Sequence, residues 1–370
     1  MPAPLAPSAA GTPGLVALLG SGETAAAGRR VLGRVLVRLP TPRTVAVLDT
    51  PAGFQPNHRG VAEKVAHFIA GNLAEHGPRV SVVETRRAAL GTPTGDAALR
   101  EIAAARCLVT GPGSPTYMIH ELRETPYLDT LRRAHAAGGA LCCASAAVLA
   151  MGAYTVPVYE IFKAGEPAAW REGLDLLAPY GLRLALVPHW DNREGGAEVD
   201  TRRCFLGEAR FAALYEQLPA DVAVLGIDEH TGCILDLAAG TVEVMGSGGA
   251  HVLREGRIET FAAGAAFPLE LLRAGSADAT QWAVGAAPAF PMNDAFAGDV
   301  GEDHEGAAAA DGGIAPVAAD LVEALLTIRA DLRAARQWPF ADRIRDALAA
   351  TGVVVEDTPE GPRWHAEPMP

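Results

Sequence analysis

The chain has 370 residues, a formal net charge of -13, 49% hydrophobic residues and only 6% aromatic ones. That length supplies a sizeable core for one large domain plus a smaller one. The acidic balance counts against nucleic acid or an anionic membrane surface as the main partner.

Residues 1–14 are rich in Pro and Ala and lack a basic start followed by an apolar stretch, so a disordered N-terminus without a signal peptide is expected. No apolar run reaches the roughly 20 residues that span a bilayer, and cytoplasm is the expected location. Leu15–Gly20 is a short apolar run that ends in Gly-Ser-Gly-Glu, the pattern of a buried strand entering a tight turn. The same pattern recurs at Thr44–Asp49, Arg79–Glu84, Cys107–Thr110, Gly139–Cys143 and Leu184–Val187. Helix-like stretches lie between the runs, at His58–His76, Ala97–Ala105, Pro126–Ala137 and Ala146–Met151. Strands buried on both faces and alternating with helices predict an α/β fold, a three-layer open sandwich with a mostly parallel sheet.

After Leu218 the texture changes to short strands separated by Gly turns: Val222–Gly226, Cys233–Asp236, Thr241–Met245, His251–Leu253 and Ile258–Phe261. These predict an antiparallel ribbon at the sheet edge. The large domain is thus expected over 15–274. An acidic linker rich in Ala and Gly follows over 275–316, then a small helical unit over 317–370. In that unit two helices, Val317–Arg336 and Phe340–Thr351, precede a short extended end. Leu321, Leu325, Ile328, Leu332, Ile344 and Leu348 form the expected apolar stripes, and Trp338-Pro339 breaks the helices.

Chemistry concentrates where strands end. The run Gly138–Met151 passes from an apolar strand through Ser145 straight into an apolar helix. Such a turn thrusts its central side chain out at the carboxyl end of a sheet, beside the N–H groups of a new helix. Ser145 is therefore a candidate nucleophile, or else a helix cap. His189, directly after the Leu184–Val187 strand, is a candidate general base or a surface cap. Asp228 and Glu229 follow the next strand, as an imidazole-orienting carboxylate or a solvated turn. For an oxyanion, Pro112 has no N–H to offer, which leaves Gly113, and Ala146 just past the serine supplies a second donor.

The five cysteines form neither a disulfide framework nor a zinc spacing. Cys142 and Cys143 lie on the buried strand and are expected to be structural. No P-loop, dinucleotide glycine fingerprint or zinc-protease motif is present, so no cofactor and no metal are expected.

Four stretches carry a resemblance: Leu18-Leu-Gly-Ser-Gly-Glu23, Leu48-Asp-Thr-Pro-Ala-Gly53, Thr110-Gly-Pro-Gly-Ser-Pro115 and Cys143-Ala-Ser-Ala-Ala147. In this order they resemble the serine peptidases of the cyanophycinase and aspartyl-dipeptidase group, which have the class I glutamine amidotransferase-like fold. The resemblance implies that fold and a Ser145–His189–acid site acting on a small peptide or isopeptide-like bond. In the cyanophycinase-like branch the acid belongs to an Asp-Glu-x-Thr motif, which matches Glu229. In the dipeptidase-like branch it lies between serine and histidine, where Glu160 stands. Trp190, Asn192 and Arg210 fall in stretches that imply substrate contacts.

The chain also departs from the family's pattern. Cys143 and Ala147 stand at the family's two elbow glycines, and only Arg210-Phe-Ala-Ala-Leu214 remains of its Arg-x-x-Arg-Leu stretch. The segment after His189 is lengthened by residues 192–201. A binding or regulatory module that keeps the fold without turnover is the alternative function. The tail, Arg329–Ala350 with Gly352–Trp364, resembles the C-terminal end of cysteinyl-tRNA synthetase. This adds RNA association to the expected partners, together with a second copy of the chain in a homodimer.

Overall fold

The computed structural model describes residues 12–273 apart from 197. In the C-terminal part it describes 322, 325, 326, 329, 330, 333, 344, 345, 348, 353–358 and 361–366. The expected linker and the Trp338-Pro339 break lie outside the described residues. By its internal contacts the chain divides into two compact units, Met1–Phe290 and Pro291–Pro370.

The first unit opens with β1 (Val16–Leu19), α1 (Ala26–Arg38), β2 (Thr44–Leu48), α2 (His58–Asn72), β3 (Arg79–Val83), α3 (Pro93–Ala104) and β4 (Cys107–Thr110). It continues with α4 (Pro115–Leu122), α5 (Pro126–Ala136), β5 (Ala140–Ala144), α6 (Ala146–Met151), β6 (Tyr154–Thr155), α7 (Val158–Phe162) and β7 (Arg171–Glu172). Then come β8 (Leu184–Val187), α8 (Glu208–Tyr215), β9 (Ala223–Ile227), β10 (Thr231–Asp236), β11 (Thr241–Gly246), β12 (Gly249–Arg254), β13 (Arg257–Ala262) and β14 (Ala266–Pro268).

Strands β1, β5, β4, β2 and β3 pair in parallel, in that order. Their residues alternate between two helix layers, because successive side chains of a strand point to opposite faces. On β1, Val16 and Leu18 join Met118, Leu122 and Val148 in one core. Ala17 and Leu19 join Val31, Leu32, Val65 and Ile69 in the other. Both faces of β1, β5 and β4 are buried, which is why those strands read as unbroken apolar runs, while the edge strand β3 is half-exposed.

The late strands form no single edge ribbon. Strand β10 lies antiparallel against β1, and β11 and β14 extend the sheet beyond it to eight strands. Strands β9, β12 and β13 go instead to a six-stranded second sheet, ordered β13-β12-β9-β8-β6-β7. Strand β8, expected in the parallel sheet, lies in the interior of this second sheet, paired in parallel with β9 and β6. One face, with Leu184, Leu186 and Leu225, packs into the same core as β1 and β5. The other, with Ala185, Val187 and Val224, packs on Trp190, Phe211 and Leu214. The fold is therefore α/β with two mixed sheets that share a core.

Helices α1, α4, α7 and α8 arise where the spacing analysis marks none. Helix α3 starts four residues earlier than expected, because Pro93 suits a first turn and Thr92 Oγ1 accepts the Gly95 N–H at 3.2 Å. Gly14, expected in the disordered N-terminus, donates its N–H to the His135 carbonyl at 3.0 Å. Among the described residues no helix is long and apolar enough to cross a membrane.

In the second unit Val322, Leu326, Leu348 and Val353 are buried together, with Leu325, Ile344, Val355 and Trp364 packed against them. Leu325, Ile344 and Leu348 were expected inside. Val322 and Leu326 were not, and Leu321, Ile328 and Leu332 lie outside the described residues. The extended end is an antiparallel hairpin of β15 (Val353–Thr358) and β16 (Gly361–Ala366), with Val353 opposite Ala366.

Candidate active site

The site forms where the two sheets meet. Strand β5 delivers Ser145 from the first sheet, while β8 and β9 deliver His189 and Glu229 from the second. Ser145 is the residue between β5 and α6, with φ 51° and ψ -116°. A side-chain-bearing residue in that region costs about 1–3 kcal/mol and persists only where its surroundings enforce it. Here the Ser145 N–H is held by the Leu19 carbonyl at 3.1 Å, and its own carbonyl accepts the Val148 N–H at 2.9 Å.

The two elbow positions that lack glycine are absorbed by the core. Cys143 and Ala147 are 3% and 0% exposed and both belong to the core between the sheets.

His189 Nε2 lies 2.8 Å from Ser145 Oγ, and Nδ1 lies 2.7 Å from Glu229 Oε1. With the Nδ1 proton donated to the carboxylate, Nε2 is left to accept the serine proton. Asn192 Nδ2 donates to the same Glu229 oxygen at 2.9 Å. The hydrogen bond from His189, opposed by partial burial and assisted by Asn192, holds the Glu229 carboxyl below its ordinary pKa. Glu229 is therefore ionised at neutral pH and able to stabilise an imidazolium. Its backbone is pinned by Asp191, whose Oδ1 accepts the Glu229 N–H at 2.7 Å.

His189 itself has φ 49°. Its carbonyl accepts the N–H of Cys204 at 3.1 Å. Arg203, Cys204 and Phe205 all lie in the left-handed region, with φ 59°, 58° and 67°. This left-handed turn also ties Arg203 N–H to the Trp190 carbonyl at 2.9 Å. Backbone strain thus gathers on both sides of the Ser145–His189 bond.

The expected oxyanion donors stand on turns. Gly113 has φ +146°, and a Cβ there would lie 1.9 Å from the Pro51 carbonyl oxygen, so no other residue fits. Among the described residues neither the Gly113 nor the Ala146 N–H is given to another acceptor. Gly20, in the first glycine turn, meets the Asp228 carbonyl oxygen at 2.0 Å from an ideal Cβ. That close approach locks β1 to the segment that carries Glu229.

The remaining site residues named from sequence go elsewhere. Asp228 accepts the Gly249 N–H at 2.7 Å and faces His251 Nε2 at 3.0 Å, with no contact to His189. Glu160, on α7, pairs with Arg171 at 3.4 Å. Trp190 and Asn192, expected to touch substrate, are 2% and 1% exposed. Trp190 is sandwiched between the Arg203 guanidinium, 3.9 Å from its ring centroid, and His251, and Asn192 is turned inward onto Glu229. Arg210 is exposed on α8, and no contact among the described residues ties it to the serine, the histidine or the acid.

Sequence reasoning missed the tasks of Asp191 and Asn192 and the turn at 203–205, none of which has a spacing signature. All five cysteines are free and buried. Burial pushes the Cys143 thiol far up, and contact with Cys107 with burial does the same for Cys142, so neither offers a thiolate near neutrality.

Comparison with known proteins divides along the chain. A peptidase from an acI-B1 actinobacterium superposes with a TM-score of 0.55 at 18% identity, covering 70% of this chain and 97% of that one. At that identity the likeness bears on the fold. A putative peptidase E protein from Listeria monocytogenes gives a TM-score of 0.40 at 12% identity and adds nothing to it. Residues 315–364 match the family described as the cysteinyl-tRNA ligase anticodon binding domain. The cysteine–tRNA ligase of Beutenbergia cavernae is 59% identical over 44 residues, 12% of this chain and 9% of that protein. That of Heliobacterium modesticaldum is 47% identical over 70 residues, 19% and 14% respectively. The chain spans about a tenth of the length of these relatives. Its first unit therefore has the fold of a known peptidase, and its C-terminal segment matches an anticodon-binding domain.

Proposed function

We propose that the first unit is a serine hydrolase acting on peptide or isopeptide-like bonds. The reading rests on one observation, the hydrogen-bonded line from Ser145 through His189 to Glu229 that starts at a strained elbow. Ser145 Oγ attacks the carbonyl carbon as its proton passes to His189 Nε2. The oxyanion takes hydrogen bonds from the Gly113 and Ala146 N–H groups, and Glu229 steadies the imidazolium. Collapse breaks the C–N bond, and the imidazolium proton leaves with the amine. Water, deprotonated by His189, then hydrolyses the ester and returns Ser145. A serine-directed fluorophosphonate tests this reading: it should label Ser145 alone, and the His189→Ala protein should not label. An unlabelled but folded wild-type protein overturns the reading and leaves a binding module on a peptidase fold.

The match of residues 315–364 favours a second activity, contact of the C-terminal unit with a tRNA. Opposing it, residues 320–364 hold eight acidic residues and six arginines. A filter-binding titration with bulk tRNA at rising salt decides the matter. Micromolar binding that weakens steeply with salt supports contact, and its absence at low salt removes it.

A further inference from the structure

Among the described residues six large hydrophobic side chains are exposed, and the three aromatic ones all stand on one line. They are Phe54 (47% exposed), Tyr159 (38%) and Phe162 (43%). Phe54 packs on Tyr117 at 5.5 Å between ring centroids and on Tyr159 at 6.2 Å. Tyr159 and Phe162 are three residues apart on α7, hence on one face of it. Phe162 meets Phe205 at 5.7 Å, and Phe205 meets the His189 ring at 5.6 Å. The line therefore ends on the proposed general base. Its other end is the oxyanion turn: the Tyr117 N–H bonds to Ser114 Oγ at 3.2 Å, next to Gly113. Four separate segments contribute to it, in a chain where aromatics are only 6% of residues. Exposed aromatics that touch one another and border a reactive pair mark a recognition surface rather than scattered surface residues.

We infer that this rim is the substrate side-chain subsite, and that it takes a large apolar or aromatic residue of a peptide next to the bond presented to Ser145. The inference rests on the hydrolase reading above and names its substrate class. Charge supports it. The arginines near the rim are already engaged: Arg86 by Asp49 and Glu84, Arg171 by Glu160 and Glu166, and Arg203 by Glu208. Lys163, whose ammonium lies 5.3 Å from the Phe162 ring centroid, stands at the end of α7. An aromatic side chain would meet ring faces and edges along the whole line.

The test separates recognition from turnover. The full-length Ser145→Ala protein is titrated calorimetrically with acetyl-Ala-Phe-Ala-amide and with acetyl-Ala-Asp-Ala-amide. The phenylalanyl peptide should bind at least tenfold more tightly. Adding Phe54→Ala or Phe162→Ala should weaken it five- to tenfold, with the aspartyl peptide unchanged and a still cooperative thermal transition lowered by no more than about a few degrees, since each ring is only half-buried. Phe162→Leu should recover much of the loss. Equal affinities, a preference for the aspartyl peptide, or no binding of either overturns the inference. Fluorophosphonate labelling of Ser145 in the wild-type protein is read in parallel. Labelling without a phenylalanyl preference sinks the rim alone, whereas the preference without labelling sinks the hydrolase reading and leaves an apolar peptide-binding rim.

Discussion

Asp228 and Glu229 are adjacent, yet each holds its own histidine, and the two arrangements contain nearly the same chemical groups. Glu229 meets His189, whose other nitrogen meets the Ser145 hydroxyl. Asp228 meets His251, whose other nitrogen meets the Thr260 hydroxyl at 3.0 Å. The second trio lies flat within the second sheet: His251 and Thr260 are directly opposite on β12 and β13, and the imidazole stacks on Trp190 at 5.4 Å. Thr260 sits in a regular strand that simply runs on, with no strained turn and no helix N-terminus behind it. Hydroxyl, imidazole and carboxylate in line are thus insufficient. The backbone around the hydroxyl separates a nucleophile from a cross-strand pair.

The largest effect that tests this contrast lies at the two hydroxyls. Ser145→Ala should lower the rate of fluorophosphonate labelling by about 10³-fold or more, while Thr260→Ala stays within about twofold of wild type. Adduct on Thr260, or loss of labelling in Thr260→Ala, would erase the distinction. Exchanging the acids comes next. Glu229→Gln should slow labelling by about 10²–10⁴-fold while costing less than about 1 kcal/mol in stability at pH 7. Asp228→Asn should do the reverse, leaving labelling within about threefold and costing about 1–3 kcal/mol in urea unfolding, because a buried acceptor set is disturbed. A smaller effect is expected from Asn192→Ala, which removes one donor to Glu229: about tenfold in labelling and about 1 kcal/mol in stability.

The smallest effect is linkage at Glu229. Its carboxyl is lowered in the folded state, first by His189, so its contribution is complete above the unfolded value of about 4.3 and disappears as pH falls through the folded one. The carboxylate is 27% exposed, and solvent screening keeps that contribution below about 1 kcal/mol. Urea unfolding of wild type and Glu229→Gln should therefore differ at pH 7 and converge near pH 3. A difference that grows on acidification would mean that the acid is not held by the histidine.

The central parallel strands were legible because burial on both faces leaves unbroken apolar runs, and Ser145 and His189 because each follows such a run. The run before Asp228 and Glu229 offers both acids alike, and only the family resemblance singled out Glu229. The partition of β8 to β14 between two sheets was not legible. Leu184–Val187 carries the same alternation in either sheet, and nothing within a strand names its partner. Helix α4 hid behind Gly111-Pro-Gly-Ser-Pro115, where the turn residues that end β4 also supply the cap: Ser114 Oγ accepts the Tyr117 N–H, and Pro115 opens the first turn. Trp190 and Asn192 read as substrate residues because they follow His189. The chain folds back at once, Trp190 N–H meeting the Ile227 carbonyl at 3.1 Å, and that reversal swings both side chains inward.

The left-handed turn at Arg203, Cys204 and Phe205 reverses the usual meaning of a stabilising substitution. Each of these residues gives up about 1–2 kcal/mol relative to glycine for its backbone conformation. Glycine in place of Phe205 would relieve that backbone cost, yet it would remove a half-buried ring that packs on Phe162 and rests on His189, so the relief brings no gain in stability and the support beneath the histidine's carbonyl is loosened. A library varied only at residue 205 and sorted separately for thermal stability and for fluorophosphonate labelling should return aromatic side chains in both pools, with glycine in neither.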